Sequence, residues 1–129
     1  MTQGFSSYGE RQWAIFDSRN TEKPLAIKTL DNNNNVIMNL HFDSASSIVY
    51  MVNRGSAATQ FWYYTEENGS PELKVIEGKY TGNNNNHGMY FLPTSNVEFM
   101  KNELQFAIRH AGTFAEYVSF KVKRAGNMF

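Results

Sequence analysis

The histidines of the chain lie far apart rather than at the spacings that metal sites use. They are His41, His87 and His110, and none is within metal-ligand spacing of another. His41 and Asp43 are two residues apart, so one face of a strand could present both side chains to a metal ion. A polar pair at the end of a strand is the simpler interpretation. We therefore predict no metal site and no cofactor.

The sequence also lacks the motifs of common catalytic sites. No Gly-x-Ser-x-Gly elbow and no glycine-rich phosphate loop occurs. The absence of cysteine excludes disulfides, thiolate ligands and a cysteine nucleophile. The carboxylates are scattered, whereas a glycosidase needs two that face one cleft. We predict that the protein is not an enzyme, and an enzyme of unrecognised type is the third alternative.

An aromatic run at residues 61–64 is the strongest local indication of a binding surface. On a strand, Trp62 and Tyr64 share one face. If that face is exposed, the two rings form a flat platform on which a sugar, a base or a partner protein can stack. The alternative is a strand that is buried on both faces.

Two asparagine-rich loops, 32–35 and 83–86, offer many uncharged donors and acceptors. Such groups suit the hydroxyls of a carbohydrate, although a plain loop has the same composition. The candidate binding residues in and beside the second loop are Asn83, Asn84, Asn85 and His87. Together with Trp62 and Tyr64 they make up the predicted binding site.

The charge of the chain is balanced, with twelve basic and twelve acidic residues and an isoelectric point near 6.8. Such a chain has no overall field that would attract nucleic acid, so we expect no nucleic-acid partner. No apolar run is long enough to span a bilayer, and the first residues do not resemble a signal peptide. We expect synthesis in the cytoplasm without a signal peptide, with incorporation into a particle or release as later steps.

Alternation of apolar and polar residues is the main fold signal. In the run 117–123, Val118, Phe120 and Val122 point one way, and Lys121 and Lys123 point the other way. The first three are therefore predicted to be buried and the lysines exposed. In the run 104–109 the same pattern predicts that another apolar set faces inward: Leu104, Phe106 and Ile108.

Similar segments recur along the chain between turns rich in Asn, Gly, Ser and Asp. The predicted strands are 11–17, 25–30, 36–42, 48–53, 60–64, 73–80, 89–92, 97–99, 104–109 and 114–123. The segment 48–53 is apolar on both faces, which is typical of a central strand. A short helix near 95–102 is an alternative for that stretch. The pattern predicts an all-β fold, an antiparallel, jelly-roll-like β-sandwich of about eight to ten short strands with at most one short helix. A closed barrel is the alternative.

The predicted organisation is a flexible N-terminal arm at 1–9, a single β-sandwich domain at 10–124 and a C-terminal tail at 125–129. Both ends carry apolar residues, which is unusual for chain termini. We expect these residues to contact neighbouring subunits or to fold back on the domain. They are Phe5, Tyr8, Met128 and Phe129.

These observations lead to two functional hypotheses. The first is a non-enzymatic structural or assembly protein, such as a component of a virion or another particle, whose β-sandwich and terminal arms contact neighbouring protein subunits in a homo- or hetero-oligomer. The alternative is a lectin-like or toxin-like β-sandwich module that binds carbohydrate or lipid through the aromatic platform and the Asn-rich loops.

Overall fold

The computed structural model of the chain describes residues 1–31, 36–96 and 102–122. Within these ranges the chain forms ten strands and one short 3₁₀ turn at Thr94–Asn96. The strands are β1 (Thr2–Phe5), β2 (Arg11–Ile15), β3 (Ala26–Asp31), β4 (Ile37–Asp43), β5 (Ile48–Arg54), β6 (Ala58–Glu67), β7 (Ser70–Thr81), β8 (Gly88–Phe91), β9 (Glu103–His110) and β10 (Ala115–Lys121). The all-β class is therefore confirmed. In the described ranges, no helix has the length and apolarity that crossing a membrane requires.

The strands form three antiparallel sheets, and each sheet is a meander of strands that are consecutive in the chain. The first sheet has the order β1-β2-β3, the second β4-β5-β6-β7 and the third β8-β9-β10. Strand β4 contacts β1 on one side and β8 on the other, so the first strands of the three sheets lie together. The sheets therefore pack face to face, with the second sheet between the first and the third. The prediction of a two-sheet jelly roll is corrected, because the described strands form three sheets. Period-two alternation identifies strands but does not indicate how many sheets they form.

The second sheet lies between the other two, and its strand β5 is buried on both faces. Val49 and Met51 of β5 point toward the first sheet, where they pack with Trp13 of β2 and Trp62 of β6. Tyr50 points the other way and packs with residues of the third sheet. Strand β5 is thus the central strand that its apolar sequence predicts.

Turn chemistry fixes the hairpin between β6 and β7. Asn68 and Gly69 form its two-residue loop, between paired Glu67 and Ser70. Both residues have positive φ, at 54° and 77°. A type I′ turn needs positive φ at both central positions, and Asn-Gly is the pair that adopts it most readily. The sequence thereby sets the register of the two long strands of the second sheet.

Several local predictions need correction. Residues 2–5, predicted to be part of a flexible arm, pair with β2 as an edge strand. Val118 and Phe120 are buried and Lys121 is exposed, as predicted, but Val122 is 47% exposed because it follows the last paired residue of β10. The predicted inward face of β9 is the wrong one. Its buried residues are Glu103, Gln105, Ala107 and Arg109, while Leu104, Phe106 and Ile108 are only half-buried.

Some predictions fall outside the described residues. They concern the first Asn-rich loop at 32–35, the strand at 97–99, most of the alternative helix at 95–102, and the C-terminal residues Lys123, Met128 and Phe129.

Candidate functional site

A groove of about 560 Å³ runs between the first and second sheets, at the edge formed by β3 and β7. Its volume is within the range of ligand sites, but it is open along its length, which suits a segment of polypeptide better than a small molecule. One wall belongs to β3 and the other to β6 and β7. The lining residues are Lys28, Thr29, Leu30, Asp31, Gln60, Trp62, Val75, Ile76, Glu77, Gly78 and Lys79.

A bulge in β7 shapes the second wall. Gln60 pairs with Lys79 and Trp62 with Val75, so three residues of β7, 76–78, lie opposite Phe61 alone. Gly78 has a φ of 104°, a conformation that side chains with a Cβ rarely adopt. Bulges bend a strand and redirect its side chains, and they also protect an edge strand from pairing with another chain. Here the bulge places residues 76–78 along the groove.

Trp62 forms the floor of the groove and is only 6% exposed. Its ring packs edge-on against Trp13, with the ring centroids 6.4 Å apart. The ammonium group of Lys28 lies 5.5 Å from the Trp62 ring centroid, within the range of a cation–π contact. Of the two alternatives for this aromatic run, the exposed platform is therefore excluded at Trp62, because the first sheet covers its ring.

Tyr64 is half-buried, outside the groove. Its ring packs edge-on against Phe42 at 5.9 Å, and its hydroxyl donates to a carboxylate oxygen of Glu66 at 3.3 Å. Desolvation raises the pKa of the Tyr64 phenol, and the adjacent Glu66 charge raises it further. Trp62 and Tyr64 thus share a face of β6 but have different surroundings.

The second Asn-rich loop has both an exposed and a buried part. Asn83, Asn84, Asn85 and His87 are exposed, so they remain predicted binding residues. Asn86 is fully buried. The sequence does not predict this burial, because five polar residues in succession are typical of a solvated loop. Nothing in the sequence distinguishes Asn86 from its neighbours.

The histidines are not gathered into one site. His87 and His110 approach each other, with ring centroids 5.5 Å apart, while His41 stacks on Phe91 in another part of the molecule. The Asp43 carboxylate accepts hydrogen bonds from the Ala45 amide and the Ser46 hydroxyl, so it caps the β4–β5 turn. Among residues 1–31, 36–96 and 102–122, no group of three or more potential metal ligands occurs.

Phe5 and Tyr8 are both exposed, and Tyr8 is the more exposed of the two at 89%. Phe5 belongs to β1, whereas Tyr8 lies in the turn between β1 and β2. Neither residue lines the groove. Their role in subunit contacts stays a prediction.

No family model matches the chain. Among solved structures, the fold is similar to that of the WD40 domain of a coronin from Toxoplasma gondii, with a TM-score of 0.79 and 23% sequence identity. The similarity covers 95% of this chain but 30% of the coronin chain, so this chain spans less than a third of that protein's length. WD40 domains are β-propellers, in which sheets of about four strands stand around a central channel as blades. The three sheets described above are therefore arranged like neighbouring propeller blades.

This comparison overturns both functional hypotheses. The virion or particle component was inferred from an all-β core with apolar ends, and the carbohydrate- or lipid-binding module from Trp62, Tyr64 and the Asn-rich loops. The neighbouring fold is instead a WD40 propeller. The burial of Trp62 removes half of the aromatic platform on which the second hypothesis depended.

Proposed function

We propose that the chain contributes blades to a coronin-like WD40 β-propeller and acts as a non-enzymatic scaffold that binds other proteins. The observation that carries this proposal is the similarity to a WD40 domain over 95% of the chain. WD40 domains are generally protein-interaction scaffolds rather than enzymes, which also supports the prediction that this protein is not an enzyme.

The groove between the first two sheets is the proposed partner site. Its apolar surface comes from Val75, Ile76 and the floor residue Trp62, and Val75 is 63% exposed. Exposed apolar side chains beside a hydrophobic floor are suited to receive an apolar side chain of a partner.

Charge indicates what would flank that apolar side chain. The groove contains Lys28, Lys79, Asp31 and Glu77. The Asp31 carboxylate is held by the buried Arg11 guanidinium, which compensates its charge. The two lysines then outnumber the remaining Glu77. We infer that the partner presents an extended segment in which an apolar side chain is followed by a carboxylate.

Site-specific photo-crosslinking tests this proposal. A photoreactive amino acid at position 75 should capture a discrete set of proteins in cells that express the chain. The same residue at position 37 is the matched control, because Ile37 is similarly exposed, at 51%, but lies outside the groove. The charge reversal Lys28→Glu should reduce capture at position 75, whereas Lys23→Glu, at an exposed lysine outside the groove, should not. Identical captured sets at positions 75 and 37 would contradict the proposal.

A further inference from the structure

A hollow of about 300 Å³ lies where the turn between β5 and β6 meets the connection between β7 and β8. We call it the Arg54 hollow. It shares no lining residue with the groove between the first two sheets. All of its lining residues belong to the second sheet or to the connection from that sheet to the third. They are Ile37, Arg54, Gly55, Asn86 and His87.

Hydrogen bonds between the turn and the connection fix the shape of the Arg54 hollow. The Gly55 amide donates to the Asn86 backbone oxygen at 2.7 Å, and the Asn86 amide donates to the Ser56 oxygen at 2.9 Å. The buried Asn86 side chain donates in addition to the backbone oxygens of Asn53 and Ala58. The hollow is therefore preformed, as ligand sites usually are.

The charged group of the hollow is the exposed Arg54 at the end of β5. Three other arginines, Arg11, Arg19 and Arg109, each have a carboxylate partner. Within residues 1–31, 36–96 and 102–122, no carboxylate pairs with Arg54, and no Asp or Glu lines the hollow. A guanidinium in this position is suited to bind an oxyanion, because its planar fork of donors matches the oxygens of phosphate and carboxylate.

His87 adds a ring nitrogen at the rim of the hollow. Its ring is exposed but closely flanked, since it packs edge-on against His110 with the ring centroids 5.5 Å apart. On another side, a Cβ at Gly112 would lie 3.2 Å from His87 Nε2. The exposed side-chain amides at 83–85 belong to the same connection and offer uncharged donors. A phosphate monoester has three acceptor oxygens and about 1.5–2 negative charges at pH 7, so it can use more of these donors than a carboxylate can.

Ile37 provides an apolar side chain in the lining and is 51% exposed. A free phosphate ion cannot use this surface, whereas a phosphorylated segment of polypeptide can place an apolar neighbour on it. We propose that the Arg54 hollow binds a phosphorylated side chain of a partner protein, with Arg54 and His87 contacting the phosphate and Ile37 contacting an adjacent apolar residue. This proposal is independent of partner binding in the groove.

A titration followed by nuclear magnetic resonance tests the proposal on the whole chain labelled with ¹⁵N. The probe is the tripeptide acetyl-leucyl-phosphothreonyl-leucine amide. It should shift the amide signals of Gly55 and His87 in a saturable way, and its unphosphorylated form should not. Inorganic phosphate should bind about tenfold more weakly, because it lacks the contact with Ile37. The absence of a saturable shift would overturn the proposal. Equal affinities of the tripeptide and inorganic phosphate would do so as well, because the hollow would then bind only a bare anion.

Substitutions identify the residues involved. Arg54→Gln should weaken binding of the phosphorylated tripeptide about tenfold or more, since it removes the charged donor. Arg19→Gln is the matched control, at an exposed arginine outside the hollow. Ile37→Ser should weaken binding of the tripeptide but not of inorganic phosphate. Arg54 and Ile37 are both exposed, so the melting temperature should stay unchanged. Equal affinities of Arg54→Gln and the wild type would overturn the assignment.

A lipid headgroup can also carry a phosphate monoester, and a sedimentation experiment distinguishes this source from a protein. Phosphatidylcholine vesicles that contain phosphatidylinositol phosphate should retain no more of the chain than vesicles of phosphatidylcholine alone. Retention that depends on the phosphoinositide and that Arg54→Gln abolishes would overturn the assignment to a protein partner.

Discussion

Arg109 of β9 donates its Nε hydrogen to the side-chain oxygen of Asn86 at 2.5 Å, and Asn86 lies in the loop that joins β7 of the second sheet to β8 of the third. The Asn86 amide in turn donates to the backbone oxygens of Asn53 and Ala58, each at 3.3 Å. On the other side of the second sheet, Arg11 of β2 donates to the Asn53 side-chain oxygen at 3.1 Å. A continuous polar chain thus crosses all three sheets. Buried polar groups are tolerated when they are paired in this way.

Replacing Arg109 should destabilise the protein strongly. Its guanidinium is 1% exposed and also donates to Glu116 and to the backbone oxygen of Asn84. Arg109→Met keeps the length of the side chain but leaves these acceptors without their donor, which should cost about 3 kcal/mol. Urea denaturation measures the cost. Arg19→Met is the control, because Arg19 is 88% exposed and pairs with Asp17 at the surface. Similar losses for both variants would mean that the buried network does not stabilise the fold.

Gly82→Ala should act through the same guanidinium. A Cβ at position 82 would lie 2.6 Å from Nη2 and 2.7 Å from Cζ of Arg109, too close for any real contact. Because that guanidinium is locked by its partners, the variant should lose about 1–3 kcal/mol. Gly88→Ala is the control, since nothing lies within 4 Å of its added methyl group. Thermal unfolding should show a smaller effect of Gly82→Ala in an Arg109→Met background. Strict additivity of the two changes would exclude this mechanism.

Stability should depend on pH through His41. The Gln105 side-chain oxygen accepts the Phe106 amide hydrogen at 2.9 Å, so its NH₂ group is the part that meets His41 Nε2, at 3.2 Å. Nε2 can accept that hydrogen only in the neutral ring. Burial lowers the pKa of His41 from its ordinary value of 6.5, and the opposing effect of the Asp43 charge is smaller.

A lowered folded-state pKa means that the unfolded chain binds more protons at mildly acidic pH. The contribution of His41 is therefore complete above pH 6.5 and is lost as the pH falls below 6.5 toward the folded-state pKa. The free energy of unfolding, measured in urea, should be lower at pH 5.5 than at pH 7.5. His41→Asn should reduce that difference, whereas His87→Asn, at an exposed position, should preserve it. If His41→Asn leaves the pH dependence intact, groups other than His41 cause that dependence.

The sequence predicts the strands well because their signals are local. The apolar run of β5 identifies a strand between two sheets, and the Asn68–Gly69 pair identifies a tight hairpin. The number of sheets is not a local property. Period-two alternation is the same in the strands of a sandwich and of a propeller blade. The chain also has no Trp-Asp dipeptide of the kind that marks many WD40 blades.

The candidate groove could not be predicted because its parts are distant in the sequence. Lys28 comes from the first sheet and Val75 from the second, and the bulge at 76–78 sets how they face each other. Hydrophobicity also selected the wrong face of β9. One face is buried through Ala107 and the paired Arg109, and the other carries the apolar residues Leu104, Phe106 and Ile108.

Phe120 should be among the most important side chains for the contact between the second and third sheets. It is 8% exposed, and its ring centroid lies 5.2 Å from Tyr50 and 5.6 Å from Phe61 of the second sheet. Phe120→Ala should cost about 3–5 kcal/mol, because it removes a buried ring and leaves a cavity between two sheets. Tyr117→Ala is the matched control, from the opposite face of the same strand, where the ring is 71% exposed. Urea denaturation should show a much smaller change for the control. Equal costs would place both rings in similar surroundings, and the assignment of the two faces of β10 would then be wrong.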